Sequence, residues 1–468
     1  MFVPPSLSDR QCLAAKPWPQ VSRPDRIRLR DWQTRASVWG FPEWFLISQT
    51  ALPALLCLPG IQPIRTLLRI SAFAVSLGAL VWYWRSREPG RRHPAERYLT
   101  ICIAYLALMV FHPSTNTFVA GTAQVMLYLS VLAPIFWVPH VQYTPKRVQR
   151  LLLILLACSA LNSSVGVLQV YDPGHWMPSQ LSSVITSDAS HEKSLTYVGP
   201  DGRRIVRPPG LSDNPGGVAG PAAIAATLGL VLMFGPFKPL TKALCALSAV
   251  LGVAAILLSH VRTSLLVAAG SFLVYIAVLA IQRQRFKVIL ALAIGTSVAI
   301  GSFSLALILG GEAVPERFST LLTDDPISVY YSARGGALDY AFSTYLFQYP
   351  LGAGLGRWGM IRYYFGDETN VESPPIWAEI QPTSWILDGG LILLLCYLIA
   401  LVSTTKDQLK IARFARSSDL RFSAAAIVAL SATTLGLIFG FTPFTTQVGL
   451  QYWFVSGVLY GAAYGPAA

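Results

Sequence analysis

Residues 203–235 read RRIVRPPGLSDNPGGVAGPAAIAATLGLVLMFG. The first fifteen positions hold three arginines, three prolines and three glycines, and then charge stops and an apolar run from about 217 to 235 begins. A run of that length and composition is long enough to cross the hydrocarbon core of a bilayer as a helix. Moving outward in both directions, comparable runs recur near 41–59, 64–84, 98–111, 117–138, 151–170, 240–259, 264–281, 287–310, 384–403, 421–441 and 447–464. The chain is 53% hydrophobic and only 13% charged, with mean hydropathy +0.50. These observations predict an all-α, polytopic integral membrane protein of about twelve transmembrane helices.

The formal net charge of +13 would point to nucleic acid in a soluble domain. Here most basic residues fall between apolar runs, where membrane orientation accounts for them, so no nucleic-acid partner is expected. With the N-terminus inside, the connectors RSREPGRRHPAER, PKRVQR, FKPLTK, QRQRFK and TKDQLKIARFARSSDLR all face the cytoplasm, and HPSTNT and FTPFTT face outward. Both termini are therefore expected to be cytoplasmic. Residues 1–38 lack an uninterrupted apolar h-region and read as a retained basic cytoplasmic tail. The chain then divides into five helices over 39–170, an outer Arg/Pro/Gly-rich loop over 171–216, four helices over 217–310, a large outer loop over 311–383, and three helices over 384–468. Both loops are expected to contain short helices. Six scattered cysteines form no CxxC or CxxxC pair and read as packing residues.

Both outer loops carry arginine against the topological bias. The first holds Arg203, Arg204 and Arg207, the second Arg317, Arg334, Arg357 and Arg362, and the tight turn SHVRTS holds Arg262. A guanidinium is permanently charged and offers a planar fork of donors, so several converging on one cavity make a receptor for phosphate or pyrophosphate. Ser212, Asp213 and Asn214 are N-cap residue types just before a span, and a helix starting there would add backbone N–H groups to such a site. The competing reading places these arginines against anionic lipid headgroups.

RPPGLSDNPGGVAG before a span, an arginine in the next outer turn, then RFST, SARGGALDYAF and YPLGAGLGRWG, resembles the bacterial O-antigen ligase and O-antigen polymerase superfamily over roughly residues 195–400. The resemblance implies an integral glycosyltransferase of the bacterial cytoplasmic membrane. Its donor would be a glycan on undecaprenyl pyrophosphate at the periplasmic face, and its acceptor a second lipid-linked glycan. It further implies membrane lipids as surroundings, and chain-length regulator and flippase proteins of the same pathway as partners. By this resemblance Arg207 and Arg262 hold the pyrophosphate, Arg334 is third, and Arg203 and Arg204 support them. In the ligase branch a histidine stands eleven residues before a glycine opening the span after the large loop. Counting back from Gly390 reaches Glu379 instead, and no histidine follows His260. That departure favours polymerase over ligase.

Such a transfer must neutralise the departing pyrophosphate and take a proton from the attacking hydroxyl. Arginine can do the first without metal. The adjacent acidic pairs, Asp324 with Asp325 and Asp367 with Glu368, have no histidine nearby, so neither metal nor cofactor is expected. Glu379, between Trp377 and Trp385 in sequence, is the first choice for the base. His260, Asp339, Arg357, Glu372 and Gln381 rank below it, with capping, lipid contact or solvation as their ordinary roles. The aromatic run around Tyr345, Phe347, Tyr349 and Trp358 reads as a membrane-boundary belt, and Gly352–Gly356 as a tight loop beside the site. A flippase or transporter is the alternative from another class, but it would place charge at mid-span and show related halves.

Overall fold

Twelve apolar segments imply twelve helices, and the computed structural model contains a helix at each. It describes residues 39–465 apart from 86–91, 179–180, 182–195, 199–201, 203, 324, 326–327 and 329. The helices are α1 (Phe41–Ala54), α2 (Arg65–Arg85), α3 (Glu96–Met109), α4 (Phe118–Trp137), α5 (Pro145–Tyr171), α6 (Ala219–Leu232), α7 (Pro239–Leu258), α8 (Arg262–Ile281) and α9 (Arg285–Gly310). After the second long connection come α13 (Gln381–Phe414), α14 (Ser418–Leu437) and α15 (Gln447–Tyr464). Eight of these, α2, α4, α5, α7, α8, α9, α13 and α14, are long and apolar enough to cross a membrane, so the chain is membrane-embedded. The other four fall short for definite reasons. Helices α1, α3 and α6 have 14 residues each, about 21 Å at 1.5 Å per residue, and α15 carries Gln447, Gln451 and Ser456 along its 18 residues.

The second connection holds the short helices expected there: α10 (Ala313–Thr323), α11 over residues 331–348, and α12 (Gly359–Phe365). Two π-helical stretches, Tyr331–Gly335 and Ala341–Tyr345, interrupt α11. The first connection departs from an all-helical reading. Beside a one-turn helix, Pro173–Trp176, it contains two antiparallel strands, β1 (Thr196–Val198) and β2 (Arg204–Val206), with Thr196 opposite Val206.

Helix α6 lies at the centre, with every residue buried except Pro221. Its small side chains allow that. A Cβ added to Gly229 would come 2.7 Å from the α7 backbone at Cys245 and Ala249, and one added to Gly252 of α7 would come 2.6 Å from Ala226 of α6. The two backbones pack directly, as small residues permit between apolar helices. Helix α9 is the opposite case. Only Ala291, Val298, Ser302 and Ala306 are buried, one narrow stripe on a 26-residue helix. The remaining faces are apolar, as a helix at a lipid boundary requires.

Helix α13 differs most from its expected span. It starts at Gln381 and runs to Phe414, well past the apolar segment, because the connector KDQLKIARF contains no glycine or proline to stop it. It is also broken internally. Gly389 and Gly390 leave helical geometry, and Gly390 adopts φ +58 where a Cβ would collide with the Pro350 carbonyl. The Leu391 N–H, released by the break, donates to that carbonyl at 2.9 Å.

Candidate anion site between the two long connections

The loop after β2 is fastened to its neighbours at many points. The Gly210 N–H donates to Gln169 Oε1 (2.8 Å) and its carbonyl accepts from Gln169 Nε2 (2.9 Å), both from the end of α5. Gly210 has φ +66, and a Cβ there would run into Asn162 Oδ1, so glycine alone fits. Three residues on, Asp213 is 1% exposed and takes an arginine pair from α2. Arg65 donates through Nε to Asp213 Oδ2 at 2.9 Å, and Arg69 Nη2 binds the same oxygen. Arg69 also donates to Met360 Sδ (3.2 Å) and lies over the Tyr364 ring at 6.0 Å, so it touches α12 of the second connection as well.

This clamp corrects the capping expectation for Ser212, Asp213 and Asn214. Helix α6 begins only at Ala219, with Val218 before it and no side-chain cap. Ser212 instead folds the loop on itself, donating to the Pro209 carbonyl (2.8 Å) and accepting from the Asn214 N–H (3.4 Å). Asp213 carries an ion pair, which a cap residue facing a bound anion could not do.

Arg207 begins the clamped loop and is half-buried. Burial, and then the charges of Arg317 and Arg334, hold its guanidinium below the usual arginine range. Its Nε is shielded from solvent and has no hydrogen-bond partner among the described residues. His260 stands in the α7–α8 turn, in the left-handed region at φ +55, and is 2% exposed. Burial first, then the charges of Arg207 and Arg317, push it down to about 4, so its imidazole is neutral near pH 7. Arg262 opens α8 two residues later, half-buried. Arg334 comes from the first π-helical stretch of α11, an irregularity often found at functional sites, and pairs with Glu379. The side chains of this pair are 36% and 29% exposed. The structure thus brings Arg207, Arg317, Arg334, His260 and Glu379 into one electrostatic neighbourhood, drawn from the first connection, α10, α11, the α7–α8 turn and the approach to α13.

Other predicted site residues are placed elsewhere. Arg203 lies outside the described residues, and Arg204 stands in β2 in register with Val198. Gln381 is fully buried and tied up structurally. Its Oε1 accepts from the Phe444 N–H (2.8 Å), and its Nε2 donates to Ser384 Oγ (2.7 Å). Asp339 and Glu372 are exposed. Trp385, expected beside Glu379, is buried and stacked on Tyr397 with centroids 4.5 Å apart. Arg357 is 4% exposed and serves the backbone, donating to the Ala353 carbonyl (2.6 Å) and through Nε and Nη2 to that of Pro374 (3.1 and 3.0 Å). Such an arginine holds a loop in shape rather than meeting a ligand.

The glycine-rich segment 350–358 is threaded into the seam between the α3–α4 turn and the break in α13. Ala353 donates to the Leu387 carbonyl (2.7 Å), and Leu355 accepts from the Asn116 N–H (3.0 Å). At the break, buried Asp388 accepts from Trp358 Nε1 (2.8 Å), the Tyr128 hydroxyl (2.7 Å) and Gln124 Nε2 (3.2 Å). Sequence reading gave no roles to Arg317, the Arg65–Arg69–Asp213 clamp or this Asp388 junction. A signal existed for Arg317, an arginine in the amphipathic helix AVPERFSTLLT with Ala313, Val314 and Phe318 buried. The clamp and the junction pair residues 148 and 260 positions apart, beyond the reach of any local pattern. No protein-family model and no curated protein sequence matches the chain.

Proposed function

We propose that this chain is a membrane glycosyltransferase that polymerises lipid-linked polysaccharide repeat units, moving a glycan from undecaprenyl pyrophosphate to the terminal sugar of a second lipid-linked unit. The observation that carries the reading is the convergence of guanidinium groups on Arg207, whose Nε is shielded from solvent with no hydrogen-bond partner among the described residues. Gathering Arg207, Arg317 and Arg334 and partly desolvating them is unfavourable unless an anion joins them. Glu379 pairs with Arg334 and faces the same neighbourhood. A pyrophosphate is a multiply charged anion, and several guanidinium forks suit its oxygens at once. The basic connectors at the opposite end support an orientation with both termini in the cytoplasm and this site outside, which for this activity is the periplasmic side of a bacterial inner membrane.

The chemistry then follows from the geometry. Pyrophosphate oxygens draw Arg334 away from Glu379 and leave the carboxylate free to take the proton of the acceptor hydroxyl. The hydroxyl oxygen bonds to the anomeric carbon as the bond from that carbon to the pyrophosphate oxygen breaks. The pyrophosphate leaves with the electron pair, and Arg207, Arg317 and Arg334 stabilise the charge that develops on it. His260, neutral beside them, adds no charge to the cluster. The test is the glycan profile of cells lacking this chain, complemented with wild type, Arg207→Ala or Glu379→Gln. Long chains only with wild type, and single units with either variant, support the reading. Long chains accumulating on the carrier without the protein would reassign it as a ligase, and normal polymer with both variants would sink the site.

A further inference from the structure

At the end of the bundle opposite the basic cluster, two cavities share one wall. The first, of about 80 Å³, lies where α8 ends and α9 and α14 begin, and its polar lining is Gln282, Gln284, Lys287, Ser418 and Arg421. The second, of about 210 Å³, is a groove between α8 and α13 lined by Val278, Ile281, Leu409 and Ala412, with Arg413 at its rim. Gln282 is the wall between them. Its Nε2 donates to the Ala412 carbonyl and its Oε1 accepts from Gln284 Nε2, both at 2.8 Å. That leaves Gln284 Oε1 shielded from solvent with no donor among the described residues. No carboxylate lines either cavity.

We propose that these paired cavities bind one anionic phospholipid whose headgroup carries a hydroxyl, of the phosphatidylglycerol type. The cationic cavity takes the phosphate between Lys287 and Arg421, and the apolar groove takes an acyl chain. The headgroup hydroxyl supplies the donor that Gln284 Oε1 lacks. A lone soluble phosphate would leave the groove unused, and an ethanolamine headgroup would bring an ammonium toward two cations. Polar and apolar compartments on either side of one glutamine match the division of a lipid at the level of its glycerol backbone. This inference is independent of the proposed activity, since it concerns other residues at the other end of the molecule.

The experiment uses the full chain in neutral detergent, carrying Arg207→Ala so that the basic cluster does not contribute. Bound lipid is counted by native mass spectrometry, and the thermal midpoint is followed with phosphatidylglycerol, phosphatidylethanolamine or glycerol phosphate. Phosphatidylglycerol should be retained and should raise the midpoint. The double variant Lys287→Ala/Arg421→Ala should weaken it roughly ten- to thirtyfold. Both positions reach solvent, so the variant is expected to fold. Lys146→Ala, which removes an exposed charge near the start of α5, should change nothing. Gln284→Met should erase any preference for phosphatidylglycerol over phosphatidic acid. Equal binding of phosphatidylethanolamine, equal loss in Lys146→Ala, or equal stabilisation by glycerol phosphate alone would each overturn the proposal.

Discussion

Asp213 and Arg207 stand six residues apart in one loop, and the arginines around them live under opposite conditions. At Asp213, two guanidinium groups from α2 close on a single carboxylate, and their side chains are only 10% and 11% exposed. Around Arg207, whose Nε has no hydrogen-bond partner among the described residues, guanidinium groups gather side by side, and a partly exposed Glu379 pairs with Arg334. The first arrangement has its anion built in and serves architecture: it fastens the loop to α2 and, through Arg69, to α12. The second sets guanidinium groups beside one another with half-open side chains, which are the conditions of a binding site. Burial alone does not separate the two, since Arg207 is itself half-buried. The sign of the charges acting on each does: a carboxylate for Arg65 and Arg69, like charges for Arg207.

The largest effect should come from breaking the first arrangement. Asp213→Ala leaves two buried arginines uncompensated, and losing one partner of a buried pair costs about 3–5 kcal/mol. Thermal or chaotrope unfolding in detergent should show it, with activity falling because the loop carrying Arg207 loses its anchor. Arg207→Ala should do the reverse. Removing one of several like charges leaves stability unchanged or raised, while transfer falls by roughly 10²–10³, the loss typical of removing one donor to a developing oxyanion. Arg207→Lys should keep only part of the activity, because a point charge cannot present the fork. A stable Asp213→Ala, or an Arg207→Ala as unstable as it is inactive, would erase the contrast.

That contrast was only half legible in the sequence. Twelve helices could be read because each rests on an apolar run, which in the eight long enough to cross a bilayer is the physical cause of the helix. The outer arginines could be read because they violate an orientation rule. Which arginines have partners could not be read, since Arg65 and Asp213 are 148 residues apart and meet only after α2 and the loop pack. The fate of Gln381 and Arg357 was hidden for the same reason: their partners Phe444 and Pro374 are backbone groups, which no side-chain pattern marks. The break in α13 shows as two adjacent glycines, yet its meaning depends on the Pro350 carbonyl that occupies the gap.

Glu379→Gln sharpens the second arrangement from within. It removes the carboxylate paired to Arg334, so the cations should hold an anion more tightly while the proposed proton acceptor is lost. Donor affinity should rise severalfold and turnover fall by about 10²–10⁴, a split of KM from kcat that a purely structural role for the ion pair would not produce. Unchanged donor affinity would mean that Arg334 does not turn from Glu379 to the ligand. Asp388→Asn should cost less. It keeps the shape of the junction among Gln124, Tyr128 and Trp358 but mismatches one of three donors, so a stability loss of about 1–3 kcal/mol is expected.

The smallest effect concerns pH, and it bears on whether the cluster tolerates one more charge. His260 titrates near 4 in the folded chain, against about 6.5 when unfolded. A depressed value means the unfolded chain binds the proton first, so this histidine's contribution is fully present above pH 6.5. It is lost as pH falls from there through about 4. In wild type the melting midpoint should therefore slope downward across that window, and His260→Gln, which cannot be protonated, should flatten the slope without changing stability at pH 8. Adding Arg207→Ala to wild type should flatten it in part, because removing that neighbouring charge lets the imidazole protonate at higher pH. An unaltered slope in Arg207→Ala would separate His260 from Arg207 and leave its depressed titration to burial and Arg317.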